Sequence, residues 1–297
     1  MSFKPKTWLG RGIGLAAFTA FGAFSAGAGA VTLLGITSAN EIARIDTNDV
    51  AAATRLSITG LDAGDRFVGI DLRPSDNRVY GVSLSNRLYT LDAISGATSF
   101  VANLSMPVVT AGAGWGIDFN PVADFAGATS LRFTSSAGNN YAINAMTGVV
   151  GNLASNIGGS YSAVAYSNTV ILPTMASPST QLFYIDSATD TLSSALSAFN
   201  APTITPIGAL GVDVLNANGF ELLADGRAFA ALNVDANSSL VTGIYSIDLA
   251  SGAATKIGDY NGALSGLTLA PVPEASSLAM MAGGLAALGF MARRRRA

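Results

Sequence analysis

The chain has 297 residues, 49% apolar and only 12% charged, and it contains neither cysteine nor histidine. It can therefore hold no disulfide, no Ser-His-Asp or Cys-His catalytic group and none of the usual zinc or iron sites, which leaves carboxylate chemistry or hard cations held by oxygen. The net charge of −3 is unevenly spread: seven of the sixteen basic residues lie at the two ends, and Val31 to Ala270 keeps nine basic residues against eighteen acidic ones, a balance that repels phosphate backbones and excludes nucleic acid as a natural partner.

The first thirty residues have three parts. Lys4, Lys6 and Arg11 make a positive start, Ile13 to Phe24 is apolar apart from Thr19, and small residues follow. Ala-x-Ala occurs at Ala26/Ala28 and again at Ala28/Ala30. This is the layout of a secretory signal peptide over residues 1–30, cut by signal peptidase after Ala30, and it predicts export of everything downstream. "GRGIG" here and "GAGWG" at Gly112 to Gly116 lack the strand–loop–helix context of a nucleotide-binding loop.

The body, 31–270, repeats one phrase: "IARIDTNDV", "LYTLDAISG", "YAINAMTGV", "LFYIDSATD" and "IYSIDLASG". Each is an alternating apolar strand, an Asp or Asn (Asp46, Asp92, Asn144, Asp186, Asp248), a turn and another strand. Gly96, Gly148, Asp190 and Gly252 stand four residues on, and Val50 breaks the pattern in the first copy. The Asp or Asn side chain accepts backbone N–H groups ahead of it, and Gly tolerates positive φ. A turn role is the first reading of these acids, ahead of calcium binding. A second phrase precedes the first, clearest in "FVGIDLRPSDNRVYGVSL" and "GWGIDFNPVADFAGATSLRFTS", looser in "YSAVAYSNTVILPT" and "NGFELLADGRAFAAL". Together they predict four-stranded units at Phe67–Leu104, Trp115–Leu153, Ser162–Phe199 and Gly219–Gly258.

Units of about forty residues and four strands are β-propeller blades. Val31–Thr37, Glu41–Asp46 and Arg55–Ile58 read as three more strands, and "LSGLTLAP" as a lone first strand. Three plus one completes a fifth blade and closes the ring without an open edge. The predicted fold is all-β, a propeller of five four-stranded blades closed by pairing the last strand with the N-terminal ones. Four and six blades are the alternatives, and Gly211 to Asp213 competes with Gly219 to Glu221 as the start of the last blade. "VGIDLRP", "RLYTLD" and "NGFELLADGRAFAAL" resemble a family of uncharacterised bacterial domains with propeller-like repeats, which implies fold and export but no activity.

The tail, 271–297, has no charge from Ala275 to Ala292 and then Arg293, Arg294, Arg295 and Arg296. Eighteen helical residues span about 27 Å, enough to cross a hydrocarbon layer about 30 Å thick. The arginines favour the cytoplasmic side and leave the body outside, in agreement with the signal peptide. "VPE", an apolar helix and "RRRR" resemble the PEP-CTERM sorting signal of exosortase substrates. Pro273 and Glu274 match its first two motif positions, and Ala275 stands where the family has a second proline. The resemblance implies processing by an exosortase-like membrane protease, a transient inner-membrane anchor, then a cell-surface or extracellular location associated with exopolysaccharide and biofilm. A plain membrane anchor is the other reading.

Asp71, Asp118 and Glu221 fall at matching positions of the predicted innermost strands, with Ala165 and Thr268 in the other two blades. Three carboxylates at one height on an axis could hold Ca²⁺, the one cofactor considered, or act as acid and base on a glycan; bracing of blade junctions is the structural alternative, and the one preferred. Trp115, the single tryptophan after signal removal, reads as core in preference to a sugar platform. The expected function is a non-catalytic surface or matrix protein, with polysaccharide as a candidate partner. A carboxylate-dependent glycan hydrolase and a membrane-tethered sensing module are the alternatives.

Overall fold

Alternating apolar residues in short runs, each ended by an Asp, Asn or Gly turn, give strands that bury both faces between neighbouring sheets. The computed structural model describes residues 29–272 except 111, 153–155, 178, 216–218 and 237–238. Chain order begins with β1 (Thr32–Thr37), β2 (Glu41–Asp46) and β3 (Asp49–Ser57). The first complete blade is β4 (Phe67–Arg73), β5 (Arg78–Ser83), β6 (Arg87–Leu91) and β7 (Thr98–Asn103). The second is β8 (Trp115–Phe119), a one-turn helix α1 (Pro121–Phe125), β9 (Ser130–Ser135), β10 (Asn140–Asn144) and β11 (Val150–Gly151). The third is β12 (Tyr161–Tyr166), β13 (Leu182–Asp186), β14 (Thr191–Ala195) and β15 (Thr205–Ala209). The fourth is β16 (Gly219–Leu222), β17 (Ala228–Ala236), β18 (Ser239–Ile247) and β19 (Ala254–Tyr260), and β20 (Leu264–Leu269) ends the body.

The strands form five antiparallel four-stranded sheets, four of them consecutive in sequence. The fifth has the order β20-β1-β2-β3, with Leu33 opposite Leu269 and Gly35 opposite Leu267. The fold is thus the predicted five-bladed propeller, closed by strand pairing of the two ends of the body. The innermost strands touch in the order β20, β4, β8, β12, β16 and back to β20. Each carries a small residue at the same place: Gly69, Gly116, Ala163, Gly219 and Gly266. A Cβ on Gly116 would stand 2.7 Å from the Val164 backbone nitrogen, so only glycine lets β8 and β12 approach so closely. The result is a narrow axis.

Apolar side chains from facing blades make the core. Val82 and Leu88 meet Phe119, Leu131 and Phe133 between the first and second blades, and Leu34 and Ile42 meet Phe67, Ile70 and Tyr89 between the closing and first blades. Comparable clusters join the third to the fourth blade and the fourth to the closing blade.

Three expectations need correction. The third N-terminal strand runs over Asp49–Ser57, not Arg55–Ile58. In the third unit, "VILPT" is not a strand. Residues 167–181 form a long connection whose Leu172 N–H donates to the Pro74 carbonyl of the first blade at 2.7 Å. The phrase "LFYIDSATD" is therefore the second and third strands of its blade, not the third and fourth, and the outer strand is β15, beyond the predicted limit at Phe199. The fourth blade begins with "GFEL", at the Gly219 start that was expected, and not with the competing "GVD".

Candidate functional site

Asp71, Asp118, Glu221 and Thr268 occupy matching positions on β4, β8, β16 and β20, two residues beyond the small residue of each strand, and all are buried. Each side chain reaches toward the next blade round the ring. Asp71 Oδ2 accepts the Phe119 N–H at 2.7 Å, Thr268 Oγ1 accepts the Leu72 N–H at 2.9 Å, and Glu221 Oε2 accepts the Leu269 N–H at 2.9 Å. The Tyr166 backbone N–H holds the equivalent place on β12 and favours the charged form of Asp118. The donor is always the residue after the matching position in the following blade. Ala165 leaves a gap in the third blade, and the Leu222 N–H that it would have served is among the groups that favour the charged form of Glu221.

Thr268 Oγ1 lies 2.9 Å from Asp71 Oδ1 and 2.9 Å from Glu221 Oε2. One hydroxyl hydrogen can serve only one of these contacts, so a carboxyl group must supply the second. Glu221 Oε2 already accepts the Leu269 N–H, which places the extra proton on Asp71. Electrostatics agree. Burial, then the neighbouring Glu221 charge, push Asp71 well above the usual carboxylate range. Asp118 is raised by burial and then by Asp71 and Glu221, and burial lifts Glu221 to about 7. Among the described residues, no three acidic side chains are arranged to hold a metal ion. The axial cavity beside Gly69, Trp115, Gly116 and Gly219 is about 10 Å³, room for about one water molecule. Trp115 itself is core, packed with Ile117 and Phe133.

Between the second and third blades the packing changes character. The face of the second blade carries buried Arg132, Thr134 and Asn140, and the third answers with Tyr161, Tyr166 and Tyr184. Arg132 donates from Nε to Tyr166 Oη at 3.3 Å, from Nη1 to Asn140 Oδ1 at 3.0 Å and the Tyr141 carbonyl at 3.3 Å, and from Nη2 to Asn200 Oδ1 at 3.0 Å. Asn140 Nδ2 in turn donates to the Phe199 carbonyl at 2.9 Å, pinning the loop that joins β14 to β15. A cleft of about 410 Å³ opens over this network. Sequence reasoning passed over Arg132, although an arginine inside the alternating run "SLRFTS", opposite Asp118 in register, was the available signal.

The turn residues act as predicted. Asp92 Oδ1 accepts the Ile94 and Ser95 N–H groups at 2.8 Å each, Asn144 those of Met146 and Thr147 at 3.0 Å, and Asp248 that of Ala250 at 2.8 Å. Ala30 lies just ahead of β1, and the Val31 N–H donates to Thr47 Oγ1 at 3.0 Å. Ala28, Pro273, Glu274, Arg293 to Arg296 and the apolar run Ala275–Ala292 lie outside the described residues. Among the described residues no helix is long and apolar enough to cross a membrane.

A family model described as a domain of unknown function, DUF4394, matches residues 33–268, the whole ring from β1 to β20. The chain belongs to the DUF4394 family. A second model, the PEP-CTERM protein-sorting motif, matches residues 271–296 of this DUF4394 protein, and that motif implies an exported protein handled by exosortase-like machinery and sorted to the cell surface. No curated protein matches its sequence. Among solved structures it is similar to a Bacteroides thetaiotaomicron protein of unknown function, at 13% identity and a TM-score of 0.46, with 80% of this chain and 60% of that one covered. It is also similar to a xyloglucanase from Xanthomonas campestris, at 13% identity and a TM-score of 0.42, with 79% of this chain and 40% of that one covered. The DUF4394 chain thus spans less than two thirds of the length of either.

Proposed function

We propose that this protein is a non-catalytic scaffold of the cell surface or extracellular matrix, held briefly at the inner membrane by its tail, released by an exosortase-like protease and then associated with exopolysaccharide in a biofilm. The observation that carries the reading is the commitment of the axial acids. Asp71 and Glu221 each accept a backbone N–H from a neighbouring blade, the Tyr166 N–H favours the charged form of Asp118, and Thr268 bridges Asp71 and Glu221. Groups used this way hold blades together, and the axis beside them admits no sugar. The sorting motif and the absence of histidine support the same reading.

A carboxylate-dependent glycan hydrolase is the competing reading, favoured by one feature: a Glu221 lifted to about 7 beside a proton-holding Asp71 is an acid–base pair in electrostatic terms. The test fractionates cells, envelope and exopolysaccharide matrix, weighs the recovered protein by intact mass spectrometry, and screens it for hydrolysis of a polysaccharide panel. A matrix-associated protein lacking residues 1–30 and the arginine cluster, with no hydrolysis, is expected. Hydrolysis abolished by D71N or D118N sinks the scaffold reading. Full-length protein retained in the inner membrane sinks release.

A further inference from the structure

We propose that the cleft between the second and third blades is a binding site for the carboxylate of an acidic sugar, with Arg132 as its anion-binding residue. The inference rests on the matrix association proposed above and names the class of polysaccharide involved.

The argument starts from an uncompensated charge. Arg132 is 3% exposed and forms no ion pair among the described residues. Its four hydrogen-bond acceptors, Tyr166, Asn140, the Tyr141 carbonyl and Asn200, are all neutral. Arg73 shows how this chain otherwise treats a sheltered guanidinium: it meets Asp124 at 2.7 Å and Asp76 at 3.1 Å. The strand neighbour Asp118 does not serve Arg132. It makes no ion pair among the described residues, and burial favours its neutral form. A buried cation without a counter-charge is costly, and a ligand anion would remove that cost.

The cleft fits such a ligand. Asn120, Ala123, Ser130, Arg132, Phe199 and Asn200 line it, and no acidic side chain does, on a body with eighteen acids. Four of the five guanidinium N–H groups are taken, which leaves one on Nη2 beside Asn200. The Asn200 amide nitrogen and the Ser130 hydroxyl make no hydrogen bond within the protein among the described residues, so the unused groups around the charge are donors. The Phe199 ring adds an apolar wall on which a sugar face can rest. About 410 Å³ lies within the range of small-ligand sites, roughly 300–1,000 Å³.

The experiment uses the full-length chain in detergent micelles and isothermal titration calorimetry. The probes are trigalacturonate, its methyl ester (the same sugar with the charge removed) and sodium sulfate. Trigalacturonate is expected to bind at least tenfold more tightly than the ester, and less tightly as salt rises. R132Q should lower that affinity at least tenfold. Because R132Q also cuts a buried network, A201W is the second variant: Ala201 is an exposed rim residue of the cleft, and its tryptophan should block binding while the fold stands. Equal binding of acid and ester overturns the proposal, as does sulfate binding as tightly as the sugar, or wild-type affinity in a folded A201W. Loss of trigalacturonate binding with the protein still in the matrix fraction removes this inference alone; absence from the matrix removes the scaffold reading itself.

Discussion

Thr268 has one hydrogen to give and two carboxyl oxygens at 2.9 Å to receive it. With the Leu72 N–H also arriving at 2.9 Å, every valence closes if Asp71 is protonated and donates to Thr268, which donates to Glu221. The sequence made the three acids visible because matching blade positions could be aligned. It hid Thr268, since a hydroxyl at that position reads as a missing acid rather than as the proton bridge between two of them. A pH dependence follows from the same chemistry. Glu221 titrates near 7 in the folded protein, against 4.5 for an ordinary glutamate. Below about pH 4 both folded and unfolded chains hold the proton. Between 4.5 and 7 only the folded chain does, so the stability that Glu221 contributes should fall as pH rises through that window and be gone above it; Asp71 and Asp118, also raised by burial, act in the same sense. The shift corresponds to about 3 kcal/mol at most. Asp92 and Asp248, held low by turn N–H groups, act in the opposite sense and only at more acid pH. Urea unfolding should show the wild type more stable at pH 5 than at pH 8, with E221Q reducing that difference and Asp71 and Asp118 carrying the rest. D71N should be tolerated, because its amide can donate to Thr268 and accept from Phe119 as the protonated acid does. T268V, which orphans the Leu72 N–H and takes one partner from each of the two acids, should cost about 2–4 kcal/mol. A wild-type protein that is more stable at pH 8 than at pH 5 would refute the proton count.

At the scale of the strand and its turn, the repeated Asp-x-x-x-Gly phrase does more than reverse the chain. A Cβ on Gly96 would collide with the Ser57 carbonyl, and one on Gly148 with the Asn103 carbonyl, each on the outer strand or strand end of the preceding blade. The glycine is where one blade docks on the last. This explains the irregular first copy: Val50 fills the glycine position there, and the close approach falls instead on Gly258 of β19, whose Cβ would stand 2.9 Å from that of Val50. G148A should therefore cost more than the positive-φ strain alone, about 1–2 kcal/mol, and thermal unfolding should separate it from G127A. Gly127 has the same kind of φ, +82° against +71°, but nothing within 4 Å of an added Cβ. Equal losses would mean that the turn, not the blade contact, sets the requirement. The repeat was legible because turn chemistry is local. The slip in the third blade was not, because "LFYIDSATD" obeys the same local rules whether it forms strands two and three or three and four. Only the tertiary contact of Leu172 with Pro74 and the late strand β15 decide between them. Arg132 was hidden for a related reason: its period-2 position marks it as inward-facing, but the neutrality of its partners is a property of the neighbouring blade.

For the molecule as a whole, closure fixes where both ends emerge. The Ala270 N–H donates to the Thr32 carbonyl at 3.0 Å, and Val272 exchanges hydrogen bonds with Asn77 at 2.7 and 3.0 Å. The segments before residue 29 and after residue 272 therefore leave from one face, the end toward which the innermost strands run, which also bears the 167–181 connection and α1. Ile94, Phe125, Met146, Leu172, Met175 and Leu196 are exposed on that same end. The apolar run begins at Ala275, three residues past Val272, a reach of at most about 11 Å. If the tail inserts in a bilayer before it is cut, this face stands toward the lipid surface. A six-residue strand spans about 20 Å, which sets the opposite face well away from the membrane. The absence of cysteine makes the geometry measurable with single labels. Full-length chain in vesicles carrying nitroxide lipids should show strong quenching of a fluorophore on M175C and little on L240C, which lies at the start of β18 on the far face. Equal quenching at the two positions would mean that the ring does not sit on its tail in this orientation.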